Sequence, residues 1–563
     1  MADAAPRERW SGQFTFILAS IGSAIGFGNV WRFPMLAYTH GGGAFLVPYF
    51  FALFFATIPV VTLEFALGQR LQKGHVALLR ALSPRAVGLG WASVIGTFTI
   101  ATFYSSLLAY CVVYLVGSVQ TPQPWAANAS QDDVAAAHEH FLRGVLERTD
   151  GGGFDATGGL VPHLAAAYFG VWLCVCAGAN GARAIGWMVK VLMPLPFVVL
   201  GAFLVRALTL SGAGDGIALL LTPDFSKVAS FEIWITATSQ LFFGVSAGLG
   251  TLTTYASYND AKRAVLVPAS IVCCANSAFS LLAGVVVFAF LGHAAELRGV
   301  APTELVQSGP ALAFEIFPAA VALMPAPQLW AFLFFAMLLN LGISSAISMT
   351  SPLCVALAEA LANGGPRARA LVATGRRRLA LVGVVHALGF AAGLLFCTRA
   401  GVLYVELADH YVVLLLTVVT ALGECVLASC CHGARTLLKE LHTESASAVD
   451  RLAAPLLAFA WRFFIPAVLT VLLVATVVGE VVAPWGIHGV DVPPWALALG
   501  WTLGLGPAAV AVCAAFVLRP RAGGAGGSAR PGLAAADGAR AVAEIEFATP
   551  NGGTSTASTA SKV

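Results

Sequence analysis

The chain has 563 residues, of which 58% are hydrophobic and only 10% charged, with a mean hydropathy of +0.83 and a formal net charge of +3. A water-soluble protein of this length carries a charged shell of roughly a quarter of its residues, so a cytosolic enzyme, a disordered scaffold and a nucleic-acid binder are excluded. The 58 Gly and 36 Phe suit membrane helices that pack closely and are interrupted, and the solvent expected for most of this chain is lipid.

Crossing a bilayer takes about 20 apolar residues in a helix. Twelve runs are read as spans: residues 14–37, 43–69, 90–118, 162–178, 185–208, 233–256, 266–292, 328–357, 379–398, 402–430, 461–483 and 494–518. The expected class is an all-α membrane protein. Arg7, Glu8 and Arg9 precede the first run, which is too long for a signal peptide and lacks a small-residue cleavage site, so it reads as a retained span. Short connections rich in Lys and Arg mark the cytoplasmic side. Arg70 to Arg85, Lys262 with Arg263, Arg367 to Arg378 and Arg435 to Arg451 share one side with Arg7 and Arg519, which predicts that both termini are cytoplasmic. The connection 119–161 falls on the other side, is acidic, and carries the sequon Asn128-Ala129-Ser130.

Eleven cysteines, from Cys111 to Cys513, lie mostly in or beside apolar runs and read as small core hydrophobes, without metal-ligand spacing. Residues 1–13 form a short cytoplasmic segment ahead of a domain at 14–518. From about residue 519 to 563 the composition turns to Gly, Ala, Ser and Thr and is expected to stay disordered. Its end, Ser561-Lys562-Val563, has the hydroxyl and terminal apolar side chain of a PDZ ligand.

Two spans carry glycines at membrane depth. The first reads Ile21-Gly22-Ser23-Ala24-Ile25-Gly26-Phe27-Gly28-Asn29, the sixth Phe243-Gly244-Val245-Ser246-Ala247-Gly248-Leu249-Gly250. Each glycine costs about 1 kcal/mol against alanine inside a helix, so two such clusters need a reason. Glycine-interrupted spans at corresponding places in two halves point to an inverted-repeat transporter with its site where both helices unwind. Freed carbonyls there hold a cation and half-helix N-termini hold a carboxylate.

Gly22 to Asn29 followed by Val30-Trp31-Arg32-Phe33-Pro34, then Gly41-Gly42-Gly43-Ala44-Phe45-Leu46-Val47-Pro48-Tyr49, resembles the neurotransmitter:sodium symporter family. Gln240 to Gly250 with Tyr255-Ala256-Ser257-Tyr258 resembles its sixth helix, and Leu341-Gly342-Ile343-Ser344-Ser345 the core of its eighth. The resemblance implies a LeuT-like fold, a 5+5 inverted repeat over about 14–208 and 233–430 plus two further helices. It also implies a plasma-membrane, sodium-coupled symporter rather than an enzyme, with the amino-acid substrate and membrane lipid as partners.

The resemblance carries sites onto matching positions. A sodium site remote from substrate falls on the Gly22, Ile25 and Leu341 carbonyls and the Ser344 and Ser345 hydroxyls. A second, beside the substrate, falls on Ala24, Asn29, Asn276 and Gly244, where relatives usually have a hydroxyl. A chloride site falls on Tyr49, Gln240, Asn276 and Ser280, and chloride sensitivity is expected because Ser280 is no carboxylate. Ser23, Ala24, Phe27, Gly28, Ile100, Tyr104, Phe243, Ser246, Leu249, Ser345 and Met349 would surround substrate. Gly26, where monoamine carriers have an aspartate, places the chain with the amino-acid branch. Arg32 with Asp409 match an outer gate, and Arg7 with Glu359 an inner gate supported by Trp10 and Tyr258. Glu64 and Glu424 are expected to accept hydrogen bonds from freed N–H groups, and His40, His75, His163 and His410 to be loop or interface residues. The function expected is uptake of a small neutral amino acid, with a GABA, taurine or related carrier, or a non-transporting sensor or scaffold, as alternatives.

Overall fold

The computed structural model describes residues 8–126, 133–148, 153–305, 312–322, 324–429, 447–487 and 490–517. Arg7, the sequon at Asn128, Cys430, Cys431 and the tail 519–563 with its PDZ-like end lie outside them. The described chain is helical, apart from isolated bridges pairing Leu160 with Thr398 and Ile487 with Val490. In lipid, only structures that satisfy every backbone amide internally can cross, and long apolar segments therefore become helices.

The first span is two helices, α1 (Gln13–Ala24) and α2 (Gly28–Thr39), bent by 58° at their junction. There follow α3 (Gly42–Leu71), the short α4 (His75–Leu82), α5 (Pro84–Ser118), α6 (Pro162–Gly178) and α7 (Ala182–Ala207). The sixth run divides into α8 (Phe231–Gly244) and α9 (Thr251–Ala256). The remaining long helices are α10 (Leu266–Arg298), α11 (Pro327–Ala362), α12 (Gly375–Cys397), α13 (Gly401–Leu427), α14 (Ala448–Val482) and α15 (Pro494–Val517), with shorter helices such as Ala213–Leu221 in the connections. Among the described residues, nine single helices and the bent α1–α2 pair are long and apolar enough to cross a membrane. The protein is therefore a multi-pass membrane protein. The other two of the twelve expected spans are helical but short: α6 has 17 residues, and α8 ends after 14 because its chain unwinds.

Burial sorts these helices into a centre and a rim. α5 runs through the middle against α6, α11, α13 and α15, and α11 is likewise mostly buried. α12, α14 and α15 present most of their apolar surface outward, as with Leu388, Leu456 and Val510, which suits lipid and not water. Cys174, Cys274 and Cys513 share that outward exposure, so they are not the core residues expected; Cys111, Cys273, Cys354, Cys397 and Cys425 are buried. α9 lies against α3 through Gly68, where a Cβ would stand 2.3 Å from the Thr253 carbonyl oxygen. This close approach brings the sixth-helix break onto α3 and, through α11, towards the first-helix break.

Candidate functional site

Both interruptions have local causes. α1 ends because Ile25 is extended (φ −91°, ψ 118°) and the Gly26 N–H turns to Asn29 Oδ1 at 2.8 Å instead of the Gly22 carbonyl four residues back. The Gly22 oxygen thereby loses its helical partner. α8 ends at Gly244, and the chain passes through left-handed Ser246 (φ 58°), Gly248 (φ 74°) and Gly250 (φ 75°) before α9 begins. Two of these positions are glycine because that conformation strains a side chain; Ser246 adopts it nonetheless. The breaks meet where Ser246 Oγ donates to the Ser23 carbonyl at 3.5 Å and Gln240 Nε2 to the Gly28 carbonyl at 3.3 Å.

At the end of α1, the Ser345 hydroxyl of α11 stands 3.1 Å from the Ile25 oxygen, 3.1 Å from Leu341 and 3.4 Å from Gly22. Ser344 Oγ donates to the same Leu341 oxygen at 2.8 Å. One hydroxyl proton serves one carbonyl, so the remaining oxygens converge with lone pairs turned inward, at the negative end of the α1 dipole. A bare cation fits such a cluster of neutral oxygens.

A second cluster is differently made. Asn29 Nδ2 donates to Asn276 Oδ1 at 2.7 Å and Ser280 Oγ at 2.8 Å, while Ser280 Oγ donates to the Asn276 carbonyl at 3.1 Å. Gly244 faces the same amide: a Cβ there would lie 3.1 Å from Asn276 Nδ2. The Tyr49 hydroxyl donates to Ser277 at 3.2 Å, a neighbour absent from the expected set, and Gln240 Oε1 is buried without a hydrogen-bond partner among the described residues.

Between the clusters, Tyr104 stacks on Phe27 with ring centres 4.8 Å apart, and its hydroxyl accepts the Phe27 N–H at 3.4 Å. A Cβ on Gly26 would stand 2.8 Å from that hydroxyl and 3.2 Å from Ser345 Oγ, so a side chain there requires the Tyr104 hydroxyl to shift. Ile100, Leu249 and Met349 are buried and Phe243 half-buried, with the Arg32 guanidinium 5.3 Å from the Phe243 ring centre. Arg32 and Asp409 pair at 3.7 Å in a partly exposed setting. The Trp10 indole donates to the Tyr255 carbonyl at 2.8 Å, its backbone N–H donates to the Tyr258 carbonyl at 3.2 Å, and its ring meets both tyrosines edge-on. Glu359 accepts the Gly74 N–H at 2.9 Å; its expected partner Arg7 lies outside the described residues.

Glu64 accepts the freed Gly248 N–H at 2.7 Å, as expected of it. Glu424 instead faces His75 at 3.4 Å, so of the two places expected for it, loop or interface, His75 takes the interface, fully buried behind the sixth-helix break. His40, His163 and His410 lie against Glu232, Glu147 and Glu480. Sequence reading also missed Ser93 and Thr97, whose hydroxyls hold the Gly248 and Leu249 carbonyls at 2.7 and 2.8 Å. Small hydroxyls at i and i+4 on one apolar helix are the available signal. A cavity of about 410 Å³ lined by Val112, Gly117, His140 and His163 involves none of the predicted site residues.

The family model described as Sodium:neurotransmitter symporter family matches residues 7–521. A sodium- and chloride-dependent taurine transporter of Rattus norvegicus is 32% identical over 535 residues, covering 90% of this chain and 83% of its own. The sodium- and chloride-dependent creatine transporter 1 of Homo sapiens is 34% identical over 540 residues, covering 89% of this chain and 81% of its own. A creatine transporter of Torpedo marmorata is 36% identical over 460 residues, covering 77% and 74%.

Proposed function

The chain belongs to the sodium:neurotransmitter symporter family, and on that premise we propose that it imports a small zwitterion across the plasma membrane, driven by Na⁺ and dependent on Cl⁻. The substrate favoured is one whose cationic centre lies further from its acid group than in an α-amino acid. Taurine and creatine, named for the relatives, have that form, and the small neutral amino acid expected first becomes the second choice. The observation carrying the reading is the convergence of the Gly22, Ile25 and Leu341 carbonyls on Ser345 at the bend of the first span.

Sodium is cargo in this scheme. One ion takes the five oxygens of Gly22, Ile25, Leu341, Ser344 and Ser345. A second enters beside substrate at Ala24, Asn29, Asn276 and Gly244, with chloride near Tyr49, Gln240, Asn276 and Ser280. Cation binding ties α1 to α11, and the Tyr104 hydroxyl and the freed N–H groups of α2 receive the acid group of the substrate. Arg32 and Asp409 close above it, with Phe243 as the lid. A partly exposed ion pair is worth only about 0–1 kcal/mol, so the closure is readily reversed. The cytoplasmic termini, the twelve-span count and the two repeats belong to the same reading. At about 2.3 kcal/mol per charge per 100 mV, the membrane potential adds to the Na⁺ gradient.

Uptake into proteoliposomes of radiolabelled taurine, creatine, γ-aminobutyrate, glycine and leucine, with Na⁺ and then Cl⁻ replaced, tests this. Accumulation of taurine or creatine that needs both ions is expected. Accumulation of glycine or leucine alone overturns the substrate class, and binding without Na⁺-dependent accumulation marks a sensor.

A further inference from the structure

Along α5, Thr99, Thr102, Ser105, Ser106 and Ser118 donate their hydroxyls to carbonyls three or four residues back on the same helix. That is the ordinary solution for a hydroxyl on an apolar helix. Ser93 and Thr97 differ, because they reach another element. Ser93 Oγ donates to the Gly248 carbonyl at 2.7 Å, and Thr97 Oγ1 stands 2.8 Å from the Leu249 carbonyl and 2.8 Å from the Ser93 carbonyl of its own helix. Both side chains are fully buried. From α3, Glu64 accepts the Gly248 N–H at 2.7 Å. The two peptide units that flank Leu249 therefore have both carbonyls held by α5. Leu249 lies in the stretch where the sixth helix has unwound, so no helical ladder fixes its backbone, and these bonds from other helices take that role.

We propose that Thr97, supported by Ser93, is a positioning residue for substrate selection: by holding the peptide units on either side of Leu249 it sets where that residue stands in the substrate slot, and so the length of substrate accepted. The inference rests on the transport reading, in which Leu249, Ile100 and Tyr104 border the substrate. Ile100 and Tyr104 follow Thr97 by three and seven residues, so one face of α5 carries both the slot residues and the anchor for Leu249. The anchor is also able to let go. Thr97 has one hydroxyl proton for two acceptors. When the sixth-helix break shifts during transport, the hydroxyl keeps its partner at the Ser93 carbonyl, and no buried donor is left unpaired.

The test compares the full-length wild type with Thr97→Val, Thr97→Ser and Ser93→Ala in proteoliposomes. Maximal rate and half-saturating concentration are measured for radiolabelled taurine, creatine, γ-aminobutyrate, glycine and leucine. Valine keeps the branched shape and removes the hydroxyl. Thr97→Val is expected to raise the half-saturating concentration of the preferred substrate about tenfold, the effect of one hydrogen bond lost at a buried carbonyl, and to shrink its lead over the next substrate by a comparable factor. Thr97→Ser should restore both quantities, and Ser93→Ala should move them in the same direction as Thr97→Val. A loss confined to maximal rate and equal for every substrate is what a merely structural hydroxyl gives, and it overturns the proposal. So does a Thr97→Val profile that matches the wild type. If Thr97→Val does not fold, Ser93→Ala decides by the same ratio of substrates. A wild type that binds one of the five in equilibrium dialysis without accumulating it refutes transport, and the binding ratio of Thr97→Val to wild type then judges the anchor. A wild type that neither binds nor accumulates any of them refutes both.

Discussion

The two polar clusters at the helix breaks share main-chain and amide chemistry but differ in how far their hydrogen bonds are satisfied. Around Ser345, three carbonyl oxygens crowd one hydroxyl, so acceptors exceed donors, which is what the proposed cation would use. Around Asn29, donors and acceptors are matched: both ends of its amide are used by Gly26, Asn276 and Ser280. An ion entering there has to break bonds already made. Unpaired acceptors mark a place prepared for charge, whereas a closed amide network marks one that a ligand must first rearrange.

That contrast is open to direct attack. Ser345→Ala should weaken Na⁺-driven uptake most, by at least the ~10–100-fold typical of losing one partner at a metal site, read as the half-saturating Na⁺ at unchanged surface expression. Ser344→Ala removes an oxygen that, among the described residues, hydrogen-bonds the Leu341 carbonyl alone. A loss of about tenfold is expected there, corresponding to one hydrogen bond of ~1.4 kcal/mol; a loss as large as that of Ser345→Ala would mean the two hydroxyls act equally. Gly244→Ser places a hydroxyl against the Asn276 amide. It should lower the Na⁺ and Cl⁻ concentrations for half-maximal uptake by roughly 2–10-fold, the range for one added hydrogen bond. An unchanged ion dependence would remove Gly244 from the second cluster. Asp409→Asn breaks a partly exposed pair, and a change within about fivefold in the initial uptake rate follows from its ~0–1 kcal/mol.

The breaks were readable because glycine inside an apolar run is costly, and Gly26-Phe27-Gly28 and Gly248-Leu249-Gly250 stand within or beside the chain that unwinds. Their geometry was less so. Ser246 turns left-handed without being glycine, and the first helix stops at Ile25 because the Asn29 side chain captures the Gly26 amide. The placement of His75 had no local signal: its partners Thr253 and Glu424 lie on other helices, and they meet where the His75 ring packs on Gly250. Ser277 was missed for a simpler reason, since the residue three places on, Ser280, carried the resemblance. The count of twelve spans rested on hydropathy, which does not see that α8 gives up its helix after Gly244.

Trp10 fastens the N-terminal segment by donating hydrogen bonds to two main-chain oxygens, those of Tyr255 and Tyr258. Such a latch is indifferent to the chemistry of the side chains it grips, provided their rings keep their shape. Replacing either tyrosine by phenylalanine leaves the catch intact, while the indole itself has no substitute, because no other apolar side chain carries an N–H on so wide a ring. Wear in this part of the molecule is tolerated on the keeper and not on the bolt.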